Sequence, residues 1–246
     1  MDRLQTSGCL KLLFPQIRDG ALTAVQLNTA GGITGGDQLD FTAEAEAGSH
    51  LRLTTQAAER IYRSPDQTAG RVTTYLRAER GARLDWLPQE TILFDHSALH
   101  RCLHVDLTAD ARFLMVEPLV FGRAAMGEVL RQVLLRDQVR IRREGHLIYA
   151  DGLRFGGDLH TQMQRMAIGG GAGAMATALL VAPEAECEAL QNSLRPMLPD
   201  TAGISRLTPD VLVLRAMAED SFILRRDLIP ALTLMNGADL PRTWMI

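Results

Sequence analysis

The first two thirds of the chain alternate apolar and polar residues in short runs. Residues 21–29, 39–45 and 51–55 do so, and Leu39, Phe41, Ala43 and Ala45 fall on one side of the second run. Residues 72–77, 84–87, 99–107, 113–116 and 129–135 continue the pattern. A period of two, punctuated by Gly and Asp, predicts half-buried strands joined by turns. Three of the joints resemble one another. Residues 45–51, 77–84 and 107–113 each pass from a strand end through a turn at Gly48, Gly81 or Asp110 to a small residue and an apolar strand start. A recurrence of roughly 30 positions fits a coil-like stack in which each unit leans on the next, and it also fits hairpins of similar length.

The last third differs. Residues 168–173 form a glycine-rich break, and a subdivision near residue 171 is the one candidate boundary in what otherwise reads as a single domain over 1–246. Residues 174–181 are apolar throughout. Pro183, the acids that follow it, and Leu190 and Leu194 one turn apart predict a helix over 184–194. Phe222, Ile223, Leu228, Ile229 and Leu232 predict a second over 220–234, which Pro230 is expected to kink or interrupt. Residues 211–214 read as a short strand between them. The class is therefore mainly β, layered sheets with two helices in the C-terminal third.

Composition narrows the functional classes. The 246 residues are 46% hydrophobic, enough for a sizeable core. A net charge of -3 lacks the basic excess that a nucleic-acid partner requires. Lys11 is the sole lysine, so the positive charge is almost all arginine, which pairs with carboxylates two-pronged. Cys9, Cys102 and Cys187 are odd in number with no CxxC spacing, which argues against a disulfide framework or zinc ribbon. No basic-then-apolar leader pattern and no membrane-length apolar run is present, so a cytoplasmic setting without membrane contact is expected.

Two kinds of candidate chemistry stand out. His100, Cys102 and His104 share one face of a strand and carry good ligands for nickel or zinc, so a metal-dependent hydrolase or a nickel-storage protein is one reading; a half-exposed strand face is the plainer one. The stretch 169–173 lacks the ending of a phosphate-binding loop and reads as a connector, and neither GxSxG nor HExxH occurs. The second kind is carboxylates in unexpected settings. Glu117 interrupts the apolar run 113–121, where a charge must be paired, hydrated or functional. Asp151 is a weaker case of the same kind. Asp37 closes Gly31-Gly32-Ile33-Thr34-Gly35-Gly36-Asp37, whose glycine pairs call for close backbone approach or positive φ.

That glycine segment resembles the PGGxxGGD signature of the UreD (UreH) family of urease accessory proteins, with Ala30 where many members have proline. Residues 54–64, including Tyr62-Arg63-Ser64, are similar to the family's TTQAAxKxYRS segment, and residues 84–95 to its LEWLPQxTIxF run. Gly122-Arg123 and Gly127-Glu128 resemble its GRxxxGE motif, and Pro241-Arg242-Thr243-Trp244 its closing PRxW. The five motifs stand in order over nearly the whole chain. The resemblance implies a β-helix-like stack of strands with two helices, and a chaperone rather than an enzyme. It implies work with UreF and the GTPase UreG on the urease apoprotein, dimeric assembly through UreF, promotion of lysine carbamylation, and nickel in transit through an internal tunnel with no tightly bound cofactor. It places Asp37, Glu117, Asp151 and, less closely, Glu59 at acidic or polar tunnel positions. Arg123 and Glu128 fall in a matched motif, and the His100, Cys102 and His104 set lies outside every motif.

Overall fold

A computed structural model describes residues 3–17 and 19–245. The strands run β1 (Leu10–Leu13), β2 (Leu22–Asn28), β3 (Gln38–Ala45), β4 (His50–Thr55), β5 (Glu59–Ile61), β6 (Gly70–Ala78), β7 (Arg83–Leu87), β8 (Thr91–Leu93), β9 (Ala98–Leu107), β10 (Arg112–Phe121), β11 (Val133–Arg143) and β12 (His146–Gly157). Then follow α1 (Leu159–Met163), β13 (Ala174–Val181), α2 (Glu184–Leu194), β14 (Ala202–Thr208), β15 (Val211–Ala218) and α3 (Ser221–Asn236).

Each of the three similar joints carries the chain from one sheet to the other. β3, β6, β9 and β11 pair in parallel and β12 returns antiparallel, giving a five-stranded sheet. β2, β4, β7 and β10 pair in parallel within a ten-stranded sheet that β1 and then β13, β15 and β14 extend antiparallel, with β5 and β8 beside β10. The turns stack as the strands do: Gly48 N–H donates to Arg80 O at 2.9 Å, and Thr108 N–H to Ala78 O at 3.1 Å. The coil-like stack, not a set of separate hairpins, is the architecture, because each turn is satisfied by the next unit.

Three cores follow from strand parity. Phe41, Leu76, Leu103, Val105 and Ile141 of the smaller sheet face Leu53, Leu84, Trp86, Phe113, Met115 and Leu179 of the larger one. Ile33, Ile61, Leu99, Leu119 and Leu135 continue this inter-sheet layer. The opposite face of the larger sheet, with Leu87, Leu114, Val116, Leu180 and Leu214, packs under α2 and α3. β13 is buried along its whole length, which is why 174–181 carries no alternation.

Several expectations need correction. The strand expected over 129–135 is β11, starting at Val133. The residues before it are held in a clamped turn, where Asp95 Oδ1 accepts from Arg131 N at 2.7 Å and Gln132 N at 3.0 Å. α3 runs through Pro230. Pro230 and Arg226, whose carbonyl loses its helical donor, both lie on the exposed side, where water can serve that carbonyl. The short helix α1 was not expected; Asp158 caps it by accepting from Thr161 N at 2.8 Å. The glycines after it form a packed turn, with Gly171 N–H donating to Met163 O at 2.8 Å. β13, beyond them, pairs with β10, before them.

Candidate functional site

Parity along β9 decides which of its polar residues face inward. Leu99, Leu103, Val105 and Leu107 are buried between the sheets, and Arg101 shares their side. His100, Cys102 and His104 therefore point the other way. Successive ligands on one strand face stand about 7 Å apart, and among the described residues no group of three His, Cys, Asp or Glu gathers as a metal site. His104 instead stacks on Tyr75 with ring centroids 4.9 Å apart.

The inward charges form a connected set. Register pairs Arg101 on β9 directly with Asp137 on β11. Arg101 donates Nε to Asp137 Oδ1 at 3.0 Å and Nη2 to Oδ2 at 2.5 Å. Its Nη1 donates to Thr91 Oγ1 at 3.0 Å and lies 2.5 Å from Glu117 Oε2. Glu117 projects from β10 of the facing sheet, and its Oε1 accepts from Trp86 Nε1 at 2.7 Å. Burial pushes the Glu117 carboxyl above its ordinary range; the Arg101 charge opposes this and the nearby Asp137 charge adds to it. One guanidinium thus serves two buried carboxylates.

Glu117, Asp137 and Asp151 line one cavity between the sheets, together with Thr177 and apolar neighbours such as Met115 and Val139. Its volume is ≈ 20 Å³, about the space one water needs. Register places Asp151 on β12 beside Val139, and Glu117 in a row with Thr177 and Arg215 on the opposite sheet. At the solvent side Asp151 Oδ2 accepts from Arg215 Nη2 at 2.5 Å and from Tyr149 Oη at 3.1 Å. Burial, then the Asp151 charge, pushes the Tyr149 hydroxyl up to about 12. The arrangement is a line of carboxylates running from the half-exposed Asp151 to the buried Glu117, with an arginine at each end.

Two of the four acids singled out from sequence, Glu117 and Asp151, meet at this cavity; Asp37 and Glu59 do not line it. Asp37 Oδ2 accepts from Thr34 N at 2.9 Å within its own turn. Glu59 holds Asn28 Nδ2 at 3.1 and 3.2 Å, and burial raises its carboxyl. Asp137 and Arg101 were missed. Their signal was present: each is a charge on the inward side of an alternating strand, among Val133, Leu135, Val139 and Ile141 in one case and Leu99, Leu103 and Val105 in the other.

The glycine-rich segment has a packing reason. A Cβ on Gly32 would stand 2.3 Å from Tyr62 Cε2, and one on Gly35 2.4 Å from Ser64 Oγ. Ile33 N–H donates to Arg60 O and Tyr62 N–H to Ile33 O, and Thr34 Oγ1 donates to Arg63 O, so the segment is laced to Tyr62-Arg63-Ser64. Gly31 and Gly36 carry positive φ in the same turn. Arg123 and Glu128 clamp the loop after Gly122: Glu128 Oε2 accepts from Arg123 Nε at 2.9 Å and from its backbone N at 3.0 Å, and Arg123 lies over the Phe94 ring. Trp244 is fully buried and donates Nε1 to Leu87 O at 2.9 Å.

The fold and its buried acids define a stacked-sheet protein with an internal carboxylate-lined cavity. The chain belongs to the UreD family: the family model described as UreD urease accessory protein matches residues 1–245. It is 48% identical over 246 residues to the urease accessory protein UreD of Ruegeria pomeroyi, covering 100% of this chain and 95% of that one. It is 50% identical to the protein of that name from Roseobacter denitrificans, covering 100% and 89%, and 46% identical to that of Rhizobium rhizogenes, covering 96% and 86%. Membership implies a role in urease maturation. Among the described residues no helix is long and apolar enough to cross a membrane.

Proposed function

We propose that this chain is the scaffold of a cytoplasmic maturation assembly, binding UreF, UreG and the urease apoprotein and passing nickel toward the urease active site through its inter-sheet cavity. It acts as a maturation factor and not as a catalyst. The observation that carries the reading is that Glu117, Asp137 and Asp151 line one cavity in a UreD-family chain. Carboxylate and water are weak ligands for nickel, and a conduit must release its ion. Asp37 and Glu59 are acids outside this cavity, at the β3 and β5 ends of the stack, where they would serve entry or exit.

The test is reconstitution. Apo-urease, UreF, UreG, GTP, bicarbonate and nickel are mixed with and without the chain, and urease activity is read. Activation that depends on the chain supports the reading; equal activation in both arms overturns it. The cavity is tested by Glu117→Gln and Asp151→Asn, each expected to lower activation while co-purification of the assembly is unchanged. Loss of assembly instead would make these acids structural pairs.

A further inference from the structure

Glu117 and Asp137 are two carboxylates in one buried place, yet the cation between them belongs to the protein. Asp137 is held two-pronged by Arg101. Glu117 is held differently. Its Oε1 has the Trp86 indole N–H, while its Oε2 has a single close contact to Arg101, Nη1 at 2.5 Å, rather than a two-pronged grip. The same Nη1 also donates to Thr91. Separating Arg101 from Glu117 therefore breaks one contact, while the two bonds from Nε and Nη2 to Asp137 can persist. Glu117 is more than nine-tenths buried and lines the cavity.

We propose that Arg101 is a resident counter-ion that keeps Glu117 and Asp137 from closing around a divalent cation, so that a passing cation is held only while the guanidinium is drawn back from Glu117. The idea rests on the cavity being a nickel path and adds how that path releases its ion. With Arg101 in place the trio carries a net charge of one minus; without it the same two acids carry two, and the pair becomes a trap. A divalent cation entering past Asp151 repels the guanidinium and attracts Glu117. When the cation leaves, Arg101 returns to Glu117 and opposes rebinding. Arg101 is on this account a positioning residue, acting through the two acids. Arg215, at the half-exposed end, pairs with Asp151 and, among the described residues, bridges no second carboxylate.

The experiment compares the full chain with Arg101→Gln, Arg101→Lys, Glu117→Gln and the double variant Arg101→Gln/Glu117→Gln. Nickel binding is read by calorimetry with nickel alone, and transfer by urease activation. Arg101→Gln is expected to bind nickel on the order of 10–100-fold more tightly than the unaltered chain, the range over which groups behind metal ligands tune affinity. Arg101→Lys, which keeps the charge but cannot bridge both acids, should fall between. The double variant should lose the gain. Both single Arg101 variants should activate urease less well because they retain the ion; a merely structural role would lower activation without raising affinity. If neither binds more tightly, or if the gain survives in the double variant, the proposal fails. Should Arg101→Gln not fold by near-ultraviolet dichroism, Arg101→Lys decides alone. Failure of the nickel-path reading looks different: Glu117→Gln then activates urease as well as the unaltered chain.

Discussion

The larger sheet carries a buried carboxylate on each of its two faces, and the two are compensated in opposite ways. Asp85 on β7 points toward the helices and is fully buried. His50 Nε2 stands 2.6 Å from its Oδ2 and Arg83 Nε 3.1 Å from its Oδ1, with Arg52 and Arg112 at 3.8 and 3.9 Å. Those arginines reach onward: Arg83 Nη2 donates to the carbonyl of Asn236 and Arg112 Nη2 to that of Met235, each at 2.6 Å, at the C-terminal end of α3. Cations there complement the helix dipole. Glu117, on the other face, shares one arginine with a second acid. Asp85 is thus an anion ringed by several cations, two of which also hold Asp19 and Glu186, a tie between sheet and helix. Glu117 is an anion short of cations beside a water-sized space. The same residue chemistry gives a lock in one place and a place for a visiting cation in the other.

The largest expected effect lies on the lock. Asp85→Asn takes the carboxylate from Arg83 and His50, while Arg52 and Arg112 keep Asp19 and Glu186; removing one partner of a buried ion pair costs about 3–5 kcal/mol. Denaturant unfolding measures this directly. The pH dependence has a definite sign. Burial alone would raise the Asp85 carboxyl, but the His50 hydrogen bond and the Arg83 charge more than offset it and hold it below its ordinary 3.8. A depressed carboxylate contributes stability that is full above 3.8 and is lost as pH falls through the lower folded value. The unaltered chain should therefore lose this contribution in that acid window, and Asp85→Asn should show no such loss. A variant as stable as the unaltered chain would erase the contrast.

Glu117→Gln should behave in the opposite way. It leaves Arg101 balanced by Asp137 and keeps an acceptor for Trp86, so stability should change by no more than about 1 kcal/mol. The raised Glu117 carboxyl means that ionisation in the fold carries a cost, absent below 4.5 and present as pH rises past the folded value. The variant should accordingly gain on the unaltered chain as pH rises toward neutrality. Urease activation should fall all the same, by on the order of tenfold, as when a group behind a metal path is lost. A large loss of stability would place Glu117 with Asp85 as a lock.

A smaller effect tests whether α3 belongs to the lock alone. Asp220 caps it by accepting from Ile223 N at 2.8 Å. Asp220→Ala should cost about 1 kcal/mol in denaturant unfolding, with the nickel affinity of Arg101→Gln unaltered. Coupling between the two would show that the faces are not independent.

How much of this could be read from residues depends on strand parity. The stacked turns at Gly48, Gly81 and Asp110 were visible because each repeats one local pattern, and the helix over Glu184–Leu194 because its proline and acids mark its start. Glu117 was visible because it breaks an apolar run. Asp137 was not, because the expected strand stopped at residue 135, whereas β11 runs on to Arg143 with Asp137 on the same side as Val139 and Ile141. Arg101 was hidden between more conspicuous ligands, although a one-residue step along a strand changes the face. Asp85 sits inside a family-like motif, and its role needs α3, far away in sequence, to become apparent. The meeting of Glu117, Asp137 and Asp151 depends on two sheets facing each other, a non-local fact.

The smallest expected effect concerns the face that sequence made most conspicuous. His100, Cys102 and His104 lie on the outer side of β9, where Cys102 Sγ is 3.9 Å from Gln138 Oε1 and His104 stacks on Tyr75. Burial, then the charges of Arg136 and Arg71, lowers the His100 imidazole, so this face favours a neutral ring. The triple variant His100→Ala/Cys102→Ser/His104→Ala should change stability by about 0.5 kcal/mol or less, as for surface positions away from special features, and should activate urease like the unaltered chain. A neutral imidazole is a competent nickel ligand, so the expectation rests on geometry and not on protonation: three side chains in a row along a strand cannot converge on one ion. A drop in activation with assembly intact would mean that nickel also travels along the outside of the stack, and the inner cavity would then be one of two routes.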